Sequence, residues 1–97
     1  MEVKFRDDDL DRLETDPDFD GGYSQSVVRA FRRRMQHIRA AQDERDLQAV
    51  KAFRYEKLKG NRSHQRSIRL NRQWRLIVEL EEGPPRTIVV VGIEDYH

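Results

Sequence analysis

A chain of 97 residues has room for one domain and a modest core, so a functional site is expected on its surface rather than in a deep cavity. It has no cysteine, which excludes a disulfide scaffold, thiol catalysis and thiolate metal sites, and its three histidines (His37, His64, His97) show no metal-ligand spacing. The net charge of +1 hides an asymmetry: residues 1–20 carry nine acids against three bases, and residues 51–75 carry nine bases against one acid, Glu56.

In chain order, Glu2 to Phe5 is extended in character and suits an edge strand. Asp8 or Asp9 can cap a short helix through Leu10 and Leu13, with the acids at its positive end. Pro17 and Gly21-Gly22 then break the chain. Ser24 is the expected cap of the main helix, with Tyr23 stapled onto Val28. Val28, Phe31, Met35 and Ile38 form one apolar stripe, and Arg29, Arg32, Arg33 and Gln36 take the solvent side. Asp46 is expected to cap a further turn through Leu47 and Val50.

From Tyr55 onward the pattern is that of strands. Ser67–Leu70 and Trp74–Leu80 alternate, and Asn71-Arg72-Gln73 is short enough to join them as a hairpin. Gly83-Pro84-Pro85 is a second turn, and the β-branched run from Thr87 to Ile93 reads as a strand buried on both faces. Helices come first and an antiparallel sheet last, so residues 1–97 are expected to form a single α+β domain. No apolar run spans a bilayer and no signal-peptide pattern opens the chain, so a cytoplasmic location without membrane contact is expected.

The basic block has the sign a polyanion surface needs. Folded symmetrically about Arg72, the hairpin sets Leu70 against Trp74, Ile68 near Leu76 and Arg69 opposite Arg75. Trp74 belongs to the apolar side, with one edge left for base stacking. Like charges directly opposite across strands are destabilising, unless water screens them or an anion binds between them. That pair points to a phosphate site. Gly60-Asn61 suits a turn that brings Lys59 and Arg62 to the same edge. At the far end Asp95, Tyr96 and His97 follow the buried strand, and a histidine exchanges protons near neutral pH. These are the parts for RNA cleavage by the ribose 2′-hydroxyl, with cations holding the phosphate charge and no metal or other cofactor needed.

The segments Leu58-Lys59-Gly60, Arg62, Ser67-Ile68-Arg69-Leu70-Asn71-Arg72-Gln73-Trp74-Arg75-Leu76 and Asp95-Tyr96-His97 resemble the HigB-like toxins of the RelE superfamily. The likeness is strong over residues 55–97 and looser before. The fold it implies is two amino-terminal helices packed on a small twisted antiparallel sheet. It implies a toxin of a type II toxin–antitoxin system, a ribosome-dependent mRNA endonuclease that cuts translated message in the A site of the 70S ribosome. It implies that Lys59, Arg69 and Arg75 hold the scissile phosphate and that Asp95, Tyr96 and His97 move or orient protons. Lys57, Arg62, Arg66 and Arg72 are the expected RNA contacts. The implied partner is a HigA-like helix-turn-helix antitoxin, through which the toxin joins a complex on operator DNA. Two positions depart from the pattern. Glu56 stands where the family often has histidine, and Arg66 where it usually has an aromatic. Glu56, with His64 as a lesser candidate, therefore enters the acid–base assignment. The competing expectations are a non-catalytic RNA- or ribosome-binding module on the same scaffold, and a protein whose basic face binds only an acidic partner.

Overall fold

A computed structural model describes residues 1–96; His97 lies outside the described residues. The order is β1 (Glu2–Phe5), α1 (Asp8–Thr15), α2 (Gln25–Ala40), α3 (Glu44–Gln48), β2 (Glu56–Lys57), β3 (Gln65–Arg69), β4 (Trp74–Glu81) and β5 (Thr87–Asp95), with single 3₁₀ turns at Lys51–Phe53 and Gly60–Arg62.

Short polar side chains start each helix. Asp7 caps α1, one residue earlier than expected, by accepting from the Asp9 N–H at 2.8 Å. Ser24 caps α2 as expected, accepting from the Val27 N–H at 3.3 Å. The cap of α3 is Asp43 rather than Asp46. Asp46 lies inside that helix and reaches back to accept from the Gln42 N–H at 2.8 Å. Val28, Phe31, Met35 and Ile38 are all buried and pack in one cluster with Leu10 and Leu13 of α1, Leu47, Phe53 and the inner face of the sheet. Arg32 is not on the solvent side. Its guanidinium donates to the carbonyls of Leu13 (3.0 Å), Asp16 (2.9 Å) and Phe19 (3.2 Å), supplying donors where α1 ends.

The sheet runs β1-β5-β4-β3-β2. It is mixed, not wholly antiparallel, because β1 lies parallel to β5. β1 is separated from the other strands by the helices, and such a crossover can deliver a strand in parallel sense. Residues paired across strands share a face. Ile68, Leu76 and Ile93 therefore look toward the helices, as do Val78 and Val90, while Arg69, Arg75 and Glu94 share the open face with Ser67, Ile77, Gln65 and Glu79. β5 is buried through Val90 and only half-buried from Val91 to Ile93, so burial on both faces holds for its first half. Val91 is the extra residue of a bulge, since Ile77 pairs with Gly92 and Val78 with Val90. Trp74 is half-buried and meets the Tyr23 ring edge-on at 5.9 Å.

One half of the open face is neutralised. Arg6 grips Glu79 through two hydrogen bonds of 2.8 and 3.2 Å, Gln65 donates to the same carboxylate at 2.9 Å, and Lys4 pairs with Glu81 at 3.0 Å. Those donors, Arg6 foremost, hold the Glu79 carboxyl below the usual carboxylate range. The arginine pair occupies the other half.

Candidate active site on the open face of the sheet

The hairpin turn is fixed by Asn71, whose side-chain oxygen accepts from the N–H groups of Gln73 (2.9 Å) and Trp74 (2.8 Å). Leu70 N–H donates to the Trp74 carbonyl at 2.9 Å, which sets Arg69 directly opposite Arg75. The next pair along such a ladder turns its own backbone groups outward and brings its side chains close. The outward carbonyl of Arg69 is met by Arg34, whose Nε donates to it at 2.9 Å from α2.

Arg75 is only 9 % exposed. Its guanidinium lies 4.1 Å from the centre of the Tyr96 ring, and its Nη1 donates to the Arg54 carbonyl at 3.4 Å. Arg54 has φ 44°, the one positive value at a non-glycine among the described residues, and the left-handed turn there aims its carbonyl at Arg75. Tyr96 is held at both ends: its N–H donates to the Gln73 carbonyl at 2.7 Å and its hydroxyl to Glu56 Oε1 at 2.9 Å. The bond to the Glu56 carboxylate raises the phenol above its ordinary range, against the pull of Arg75. Tyr96 thus keeps its proton near neutral pH. Glu94 lies opposite Arg75 on β5, yet its carboxylate pairs with Arg62 at 2.7 Å. Among the described residues no carboxylate lies within ion-pair distance of Arg34, Arg54, Arg69 or Arg75.

The structure joins Glu56, Tyr96 and Arg75 by direct contact and sets Arg69 opposite Arg75 on the same face, its Nε donating to the Asn71 carbonyl at 3.2 Å. Arg62 reaches the same face but is already paired with Glu94 and Gln65. Lys59 is exposed at the head of the Gly60–Arg62 turn, and Arg72 is exposed in the hairpin turn. His64 is exposed, with its Nε2 3.7 Å from Glu79, on the neutralised half. Asp95 pairs with Trp74, not Arg75, and accepts from Gln73 Nε2 at 2.9 Å. Arg66 does not join the site. It shares the helix-facing side with Val78 and pairs with Glu44 of α3 at 3.1 Å, where the Tyr55 hydroxyl also donates. Lys57 is the strand partner of Arg66 and falls on that same side. The basic block is therefore split between two faces by strand alternation. Arg34 and Arg54 were not anticipated. Arg34 is three residues after Phe31 and four before Ile38, a spacing that flanks the buried stripe. Nothing in the sequence signals the left-handed conformation of Arg54.

Among the described residues no cluster of His, Asp and Glu could hold a metal ion, and no helix is long and apolar enough to cross a membrane.

Comparison with known proteins agrees with this architecture. The HigB-like toxin family, described as the RelE-like toxin of the type II toxin–antitoxin system HigB, matches residues 3–97. Toxin HigB-1 of Vibrio cholerae is 34% identical over 83 residues, covering 86% of this chain and 87% of that protein. A YoeB/ParE toxin from Agrobacterium tumefaciens shares the fold with a TM-score of 0.63 at 14% identity, over the full length of both chains. YafQ from E. coli shares it at 0.52 and 12% identity, over 98% of this chain and 92% of the other. The family match spans the helices and the whole sheet, and the chain belongs to the HigB-like family of RelE-like toxins of type II toxin–antitoxin systems.

Proposed function

We propose that the protein is a ribosome-dependent endoribonuclease that cuts translated mRNA in the A site. The observation that supports this most directly is the Arg69–Arg75 pair, two arginines directly opposite across the hairpin on its open face, neither in an ion pair with a carboxylate among the described residues. An in-line attack by the 2′-hydroxyl puts extra negative charge on the phosphate oxygens, and fixed guanidinium groups stabilise that charge without reorganising. Arg75 is the better placed of the two, since the Arg54 carbonyl fixes its orientation. Lys59, exposed at the neighbouring turn, supplies a third cation.

Two proton transfers complete the reaction. The Glu56 carboxylate takes the 2′-hydroxyl proton as the P–O bond forms, and the departing 5′-oxygen receives a proton from His97 as its bond to phosphorus breaks. The product is a 2′,3′-cyclic phosphate, and no metal enters. Tyr96 serves as a donor and orients Glu56, in keeping with its raised phenol.

A toxin of a type II system has an antitoxin partner. We take that partner to be a HigA-like helix-turn-helix protein that also carries the toxin to operator DNA. The competing reading is a ribosome-binding module that does not cut. What favours it is the carboxylate of Glu56 at a position often held by histidine in the family.

Adding the purified protein to a translating extract is expected to yield breaks inside codons, read by primer extension. His97→Ala is expected to abolish cutting and growth inhibition while the melting curve stays unchanged. Message left intact by stoichiometric wild-type protein, with ribosome binding that weakens as salt rises, would establish the binding module instead.

A further inference from the structure

The chemistry above leaves one buried group unused. Ser67 is fully buried, and its Oγ has no hydrogen-bond partner among the described residues. A hydroxyl withdrawn from water without a partner is expensive to keep. Register fixes where it lies: Ser67 pairs with Glu56 of β2 on one side and Ile77 of β4 on the other, on the same face as Arg69 and Arg75. Two side chains span β3 on that face. The Arg75 guanidinium reaches from β4 to the Arg54 carbonyl, and the Tyr96 ring stacks on Arg75 while its hydroxyl reaches Glu56 of β2, the strand partner of Ser67. Tyr96 itself is 47% exposed, and solvent meets its outer side.

We infer that Ser67 is a further ligand of the phosphate site, beside the cations, uncovered when the Tyr96 ring moves off Arg75. With the ring displaced, the Ser67 hydroxyl and the two guanidinium groups face one opening, and Ser67 Oγ donates to a non-bridging phosphate oxygen. The hydroxyl is not a nucleophile, because none of the described residues accepts its proton. This assignment rests on the reading of Arg69 and Arg75 as phosphate ligands.

The test is titration of the intact chain with inorganic phosphate, followed by NMR. Phosphate is expected to shift the Tyr96 ring and the Ser67 amide in the wild-type protein. Ser67→Ala is expected to weaken that binding by about 10-fold, the worth of one hydrogen bond to a charged group. Because the substitution removes an unmet polar group, the variant is also expected to melt no lower than wild type. Equal phosphate affinity in Ser67→Ala would overturn the inference. So would the absence of shifts at Ser67 and Tyr96, or a melting point several degrees lower, which would mark the hydroxyl as structural. Phosphate binding that depends on Ser67, together with an uncut message in the extract, leaves this site standing and removes the cleavage reading alone.

Discussion

Arg75→Ala is expected to reduce message cleavage by about 10²- to 10³-fold, the usual effect of removing one fixed donor from a developing oxyanion. Arg75 carries this expectation more than Arg69 because it is nearly buried and oriented by the Arg54 carbonyl. Stability should change little. Losing the ring stack removes about 0.5–2 kcal/mol, while losing one of two like charges paired across strands relieves about 0.2–1 kcal/mol. Arg75→Lys separates charge from shape: an ammonium keeps the charge but loses the planar fork and the stack, so most of the defect should persist. Single-turnover cleavage on programmed ribosomes, with melting curves on the same samples, decides the matter. Near wild-type cleavage by Arg75→Ala would remove this guanidinium from the mechanism. The double variant with Arg69→Ala should fall short of the sum of the two single losses, because both groups act on one phosphate.

The largest effect on stability is expected from Phe31→Ala. Phe31 is 0% exposed on α2, in the cluster that joins both long helices to the inner face of the sheet. Truncating a buried phenylalanine costs about 3–5 kcal/mol through lost burial and the cavity left behind. A domain of this size has only about 5–15 kcal/mol in total. The melting point should fall by about 15 °C or more, since each kcal/mol moves it by about 4–8 °C in a domain of 60–100 residues. A urea midpoint close to that of wild type would show that the cluster closes around the gap.

How much of this was legible in the sequence differs from residue to residue. The Arg69–Arg75 pairing followed from two-residue alternation and a short symmetrical link, both local properties. The stripe of α2 and its Ser24 cap were local as well. Alternation also fixed the side taken by Arg66: it follows Ile68, not Arg69, and the expected RNA contact there came from the family position it occupies rather than from strand geometry. The α3 cap was ambiguous because Asp43 and Asp46 both satisfy the composition rule, and only the backbone separates them. The partner of β1 was invisible, since strand pairing between distant segments leaves no local pattern. The same holds for Tyr96 on Arg75 and for the carbonyl of Arg54. The candidate site was therefore readable where one hairpin carries it and unreadable where separate segments close over it.

The pairing of β1 with β5 has a consequence for the protein in concentrated solution. Thr87–Ile93 is β-branched, carries no charge and contains no proline, a composition prone to cross-β association when its edge lies bare. Glu2–Phe5 covers that edge along its buried stretch, from Thr87 to Val90, and sets Glu2 and Lys4 toward solvent instead. Four residues at the start of the chain thus act as a gatekeeper, keeping the stickiest strand from templating intermolecular sheets.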